Sequence, residues 1–214
     1  MKGYIFDLDG TLLDSMDIWA KIDIAFLKKR GLPVPVDYAQ KIASMSFKES
    51  AAYTIKRFGL ADSVAGLIQE WNEMSVDAYA QGVRLKPHAK EYLALLKESG
   101  AKLAVATCSM PYIYEPALSN LGIFDWFEVI CRADEVGSGK SSPQIYLYTA
   151  NKLALPASDC LVFEDLLVAI KSAKSAGMKT CGVYEPASAN HWQQIKDIAD
   201  YAIQDFCEAP RPYI

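Results

Sequence analysis

Two aspartates stand two residues apart, Asp7 and Asp9, directly after the apolar run Tyr4-Ile5-Phe6. In an extended chain the side chains alternate, so both carboxylates project to one side. Two anions crowded together repel and lose hydration, which a fold tolerates when a cation or a shared proton compensates. Three further apolar runs end in polar groups. Thr107-Cys108-Ser109 offers two hydroxyls, the loop from Asp134 to Lys140 offers one lysine, and Glu164-Asp165 offers a second acidic pair. Carboxylate oxygens of this kind suit Mg2+, which is held by one or two carboxylates together with waters and a substrate phosphate. A lysine and hydroxyls suit the oxygens of the phosphate itself.

Something must bring these four segments to one place. From residue 100 onward, strand-like runs alternate with helix-like spacing. Lys102–Thr107 is a run following Gly100, and Ile113, Ala117 and Leu121 share a helical face that stops at Gly122. Phe127 to Cys131, Cys160 to Phe163, Thr180 to Tyr184 and Tyr201 to Ile203 read as strands. Between them, Tyr146/Ala150/Leu153, Ala169/Ala173/Ala176 and Trp192/Ile195/Ala199 read as helices. Such alternation predicts an α/β fold, a doubly wound parallel sheet with helices on both faces. Ligands of such sheets bind beyond the carboxyl ends of the strands, where the four polar segments fall.

The N-terminal third breaks this rhythm. After one buried strand, residues 15 to 81 read as almost wholly helical. Trp19, Ile22 and Phe26 mark one helix, Ala51, Ile55 and Phe58 a second, and Leu67, Trp71 and Met74 a third. The expected organisation is a Rossmann-like core of residues 1–14 and 83–214, interrupted by a helical unit of residues 15–82.

The stretch Asp7-Leu8-Asp9-Gly10-Thr11-Leu12-Leu13-Asp14-Ser15 resembles the signature of the haloacid dehalogenase-like phosphohydrolase superfamily, helical-cap branch, which includes β-phosphoglucomutase-like proteins. Thr107 resembles the second motif's hydroxyl, Lys140 the third motif's lysine, and Val162-Phe163-Glu164-Asp165 the fourth motif. All four occur in family order over nearly the whole chain. The resemblance implies a Mg2+-dependent phosphatase that works through an aspartyl-phosphate. Asp7 would be the nucleophile, and Asp9 would protonate the leaving oxygen and then activate water. Thr107, Cys108, Ser109 and Lys140 would bind phosphate. The metal set would be Asp7, Asp9 through its carbonyl, Asp165, and Glu164 at one remove. Residues 15–82 would form a cap that sets specificity, with Trp19, Phe47 and Lys48 as candidates beside Met16 and Met45.

Within the superfamily, Asp9 argues against dehalogenation, since members with that chemistry lack the second aspartate. Sugar-phosphate mutases resemble this chain but carry a histidine and an arginine where an ungapped alignment gives Trp19 and Phe47, with Lys48 adjacent. That favours water as the phosphate acceptor over a sugar. The chain departs from the family pattern at Ser141, Leu166 and Ala169. The departures keep a catalytically weak phosphate-binding protein as a further alternative, although no charged catalytic group is lost.

A formal net charge of -4 gives no basic footprint for nucleic acid. No apolar run approaches the roughly 20 residues that span a bilayer. The five cysteines are scattered and never at C-x-x-C spacing, as expected of reduced thiols in a cytoplasmic protein. The expected partner is a small-molecule phosphate ester.

Overall fold

The computed structural model describes residues 2–212, with the backbone alone at 77, 80 and 81. Six parallel strands form one sheet: β1 (Gly3–Phe6), β4 (Lys102–Thr107), β5 (Val129–Arg132), β6 (Cys160–Glu164), β7 (Lys179–Val183) and β8 (Tyr201–Ile203). Their spatial order is β5-β4-β1-β6-β7-β8. The central strand β1 is buried along its whole length and pairs in register with β4 on one side, Phe6 opposite Val105, and with β6 on the other, Phe6 opposite Phe163.

Alternation along β1 divides the core in two. Tyr4 and Phe6 pack on one face with α5 (Ala89–Glu98) and α6 (Pro111–Asn120), through Tyr92, Leu93, Ile113 and Ala117. Ile5 packs on the other face with α7 (Gln144–Lys152) and α8 (Leu167–Ser175), through Ile145, Ala150, Ala169 and Ala173. Burial on both faces is why these strands read as continuous apolar runs rather than alternating ones. A ninth helix, α9 (Trp192–Ile198), precedes β8. The expected doubly wound α/β sheet is present.

After β1 the chain leaves the sheet through β2 (Leu13–Asp14) and returns through β3 (Arg84–Leu85). These two short strands pair antiparallel, Leu13 opposite Leu85. Between them lie α1 (Met16–Lys29), α2 (Tyr38–Ile42), α3 (Phe47–Phe58) and α4 (Val64–Gly82). This block has its own core of Ile22, Phe26, Leu27, Tyr38, Ala51, Leu67 and Trp71. Ser46 starts α3 with a reciprocal capping box to Glu49, and Gly59 ends it in the left-handed region, a conformation glycine adopts without penalty. The sequence reading missed α2, which is too short for helical periodicity to show, and the β2–β3 pair, whose partners are about seventy residues apart.

Candidate active site

β1 ends at Phe6 and delivers Asp7 to the point where strand order reverses, with β4 on one flank and β6 on the other. The backbone N–H of Asp7 donates to the Phe163 carbonyl of β6, at 3.1 Å. Gly10 makes the turn that follows, at φ +81°. A Cβ there would lie 2.9 Å from Asp165 Oδ2, so only glycine lets the Asp7 and Asp165 loops approach this closely. Thr11 Oγ1 bridges the two carboxylates, 3.3 Å from Asp7 Oδ2 and 3.0 Å from Asp165 Oδ1.

Lys140 lies beneath this pair and is 1% exposed. Its Nζ pairs with Asp7 Oδ1 and with Glu164 Oε1, the latter at 2.5 Å. The Tyr146 hydroxyl also donates to Glu164 Oε1, at 2.9 Å, while Glu164 Oε2 is buried without a partner. Burial pushes the Asp7 carboxyl up to about 7, with repulsion from Glu164 adding to it and Lys140 opposing. Burial likewise raises Asp165 well above the carboxylate range, with Glu164 and Asp7 adding to it. Burial alone would lower Lys140, but the Asp7 and Glu164 charges overcome it and hold the ammonium above its usual range.

One oxygen each from Asp7, Glu164 and Asp165 lie within 4.8 Å of one another. Three carboxylates against one ammonium leave two formal negative charges uncompensated in a buried cluster, a poor arrangement without a further cation. An oxygen-only donor set carrying that excess fits a hard divalent cation such as Mg2+. The Asp9 carboxylate is outside this cluster. Its Oδ1 accepts from Ser15 Oγ at 2.7 Å, Trp19 Nε1 at 2.6 Å and the Tyr79 hydroxyl at 2.6 Å. Asp7 is thus tied to the sheet and Asp9 to α1 and α4.

The hydroxyls at the end of β4 divide sharply. Thr107 Oγ1 accepts from the backbone N–H of Ser109 at 3.0 Å, and Thr107 does not line the cavity described below. Ser109 does line it, is 2% exposed, and its Oγ has no partner. Cys108 lines it too, and burial raises its thiol to about 12, which keeps the sulfur protonated and unreactive. Of the departures from the family pattern, Leu166 faces the cavity, and Ser188 Oγ braces the neighbouring Asp165 carbonyl at 3.0 Å. Ala169 is fully buried against the sheet.

A cavity of about 190 Å3 separates these strand ends from the helical block. Asp7, Asp9, Cys108, Ser109, Lys140 and Asp165 form its floor, and Met16, Trp19, Ile22, Asp23, Met45, Phe47 and Trp71 form much of its roof. Lys48 is exposed and takes no part in the lining. Sequence reasoning missed Asp23, Tyr79 and Tyr146. Tyr79 and Tyr146 reach the site from helices whose placement no local spacing reveals, whereas Asp23 had one signal, a charged residue on the apolar face of an amphipathic helix.

The sequence profile described as haloacid dehalogenase-like hydrolase matches residues 4–183. The protein CbbY of Rhodobacter capsulatus is 30% identical over 228 residues, covering 98% of this chain and 99% of its own length. A phosphorylated carbohydrates phosphatase of Thermotoga maritima is 26% identical over 179 residues, covering 84% of this chain and 83% of its own. The crystal structure of CbbY from Rhodobacter sphaeroides in complex with phosphate superposes with a TM-score of 0.85, covering 97% of this chain and 96% of that one at 24% identity. No helix among the described residues is long and apolar enough to cross a membrane.

Proposed function

The chain belongs to the haloacid dehalogenase-like hydrolase family, and on that footing we propose that it is a Mg2+-dependent phosphatase cleaving a small organic phosphate monoester through an aspartyl-phosphate. The observation that carries this reading is the pairing of Asp7 with buried Lys140, beside a buried Ser109 hydroxyl that has no partner of its own. An enclosed lysine paired with one carboxylate, and a free hydroxyl lining the same cavity, are what a phosphoryl group in transit to that carboxylate requires.

In the first step an Asp7 oxygen bonds to phosphorus, the ester P–O bond breaks, and Asp9 gives a proton to the departing alcohol oxygen. In the second step Asp9 takes a proton from a water whose oxygen attacks phosphorus, and the Asp7–phosphorus bond breaks to release inorganic phosphate. Lys140 and Ser109 hold the phosphoryl oxygens throughout, with Ser109 in the role that the motif resemblance had given to Thr107. Trp19, Tyr79 and Ser15 aim Asp9 at the leaving group. Asp7, Asp165 and the Asp9 carbonyl would hold Mg2+, with Glu164 at one remove. When bound, the ion neutralises charge between the carboxylates and the phosphate. Residues 15–82 act as a cap over a core of 1–14 and 83–214, and the distinct core of the helical block supports that division. All five cysteines are free, in keeping with a cytoplasmic enzyme.

Purified protein should release phosphate from p-nitrophenyl phosphate with Mg2+ and lose this activity to EDTA. Asp7→Asn should lower kcat on the order of 10^4-fold or more, as removal of a nucleophile does elsewhere. Interconversion of sugar phosphates without net phosphate release would overturn the hydrolase reading in favour of a mutase.

A further inference from the structure

Among the described residues the cavity roof holds one ionisable side chain of the acidic or basic kind, Asp23, and the active-site chemistry does not use it. Asp23 lies on α1 four residues after Trp19, on the same face and one turn on, about 6 Å farther along the axis. Trp19 touches Asp9, so Asp23 lies one turn beyond the point where the leaving oxygen departs. Among the described residues no hydrogen bond or ion pair engages its carboxylate, and burial in these apolar surroundings pushes it up to about 7. Around it the lining is aromatic: Trp19 and Phe47 meet edge to face at 5.9 Å, and Phe47 and Trp71 at 5.8 Å. Trp71 is 5% exposed, and its Nε1 has no partner.

Resting on the phosphatase reading, we propose that Asp23, with the Trp19–Phe47–Trp71 wall, selects phosphate monoesters of short cationic alcohols, whose ammonium group sits against this carboxylate. An organic cation asks for one counter-charge and for aromatic faces, and the roof supplies both. A polyol asks for many donors and acceptors. Beside Asp23 the roof offers the free Trp71 Nε1–H and the Ser50 hydroxyl, whose hydrogen points to the Ile42 carbonyl at 3.5 Å, so most sugar hydroxyls would be buried against Met16, Ile22, Ile42 and Phe47 without partners. The one-turn offset between Trp19 and Asp23 matches a spacer of about two to four atoms between ester oxygen and nitrogen.

Turnover and binding test this separately. With Mg2+, kcat/KM for choline phosphate should exceed that for its neutral isostere 3,3-dimethylbutyl phosphate, and that for glucose 6-phosphate, by at least about tenfold. In Asp23→Asn the preference over the neutral isostere should collapse to near unity. Titration calorimetry on Asp7→Asn, which needs no turnover, should show the same preference for choline phosphate and its loss in the Asp7→Asn/Asp23→Asn double variant. Equal handling of choline phosphate and its isostere by the unaltered protein overturns the inference without recourse to any variant. If p-nitrophenyl phosphate is hydrolysed while that equality holds, the cation inference fails and the phosphatase reading stands. If nothing is hydrolysed yet Asp7→Asn binds choline phosphate selectively, the phosphatase reading fails and the cation site stands as a binding site.

Discussion

Thr107 and Ser109 stand two residues apart at the end of the same strand, and their hydroxyls face different surroundings. Thr107 accepts a bond inside its own turn and lies off the cavity, whereas Ser109 is buried, unpartnered and on the cavity wall. Replacing Ser109 by Ala should therefore lower kcat/KM on the order of 10^2-fold, the usual effect of deleting one donor to a developing oxyanion. Thr107→Val should act mainly on stability, by about 1–2 kcal/mol, because it strands the Ser109 N–H. Parallel kinetics and thermal melts on the two variants check this, and a more severe kinetic defect in Thr107→Val would reverse the assignment. Asp7 and Asp165 were legible in the sequence because each ends or follows an apolar run that is buried along its whole length, whereas Lys140 was legible as the one lysine of the loop after β5. Ser109 and Thr107 could not be ranked that way. A strand end is uncertain by a residue or two, and two residues decide which hydroxyl faces the cavity.

At the scale of elements, the sheet was more legible than the helical block. Strands covered on both faces announce themselves as apolar runs, and the run Lys102–Thr107 coincides with β4. The helices of the block show their apolar stripes but not their mutual placement, which rests on side chains distant in sequence. Arg30, at the end of α1, stacks over Phe26 at 4.0 Å and reaches Glu70 of α4 at 2.5 Å and Asp62 at 2.9 Å. The Arg30 hydrogen bonds hold the Glu70 carboxyl down at about 2, against an ordinary value of 4.5. A carboxyl depressed by folding contributes stability that is full above its unfolded value and is lost as pH falls through its folded one. The α1–α4 pairing should therefore weaken between about pH 4.5 and pH 2, by about 1 kcal/mol for a partly shielded pair of this kind. Glu70→Gln should remove that part of the acid slope. Melts followed by tryptophan fluorescence across this range measure it, and an unchanged slope in Glu70→Gln would assign the acid loss elsewhere.

On the proposed mechanism the molecule works only if its sheet domain and its helical block meet at the right distance, because the proposed nucleophile, Asp7, belongs to one and the side chains that hold Asp9, Trp19 and Tyr79, belong to the other. Several seams join them, among them the packing of α4 on α6 with the Tyr112 hydroxyl bonded to Asn72, the β2–β3 ladder, the clamp of Trp19 and Tyr79 on Asp9, and the seat of the 139–140 loop against residues 44–45. In the last of these, Lys140 N–H donates to the Ser44 carbonyl at 2.8 Å, so this buried lysine is held by the helical block as well as by the acids it pairs. Gly139 makes the approach possible. A Cβ there would lie 2.4 Å from Ser44 O and 3.0 Å from Met45 Cα, both of them backbone atoms with little room to give. Gly139→Ala should therefore push the block off its seat while leaving the hydrophobic cores of the sheet and of the block intact. Misplacement by about 1 Å can cost on the order of 10^2-fold in rate, so kcat/KM should fall by that order while circular dichroism stays close to that of the unaltered protein. Gly137→Ala, at a left-handed glycine with open space around its Cβ, provides the contrast: backbone strain without a steric clash against the block, and so a loss of stability with a smaller loss of rate. Equal kinetic losses in the two variants would mean that the loop's own conformation, rather than the seating of the block, governs turnover.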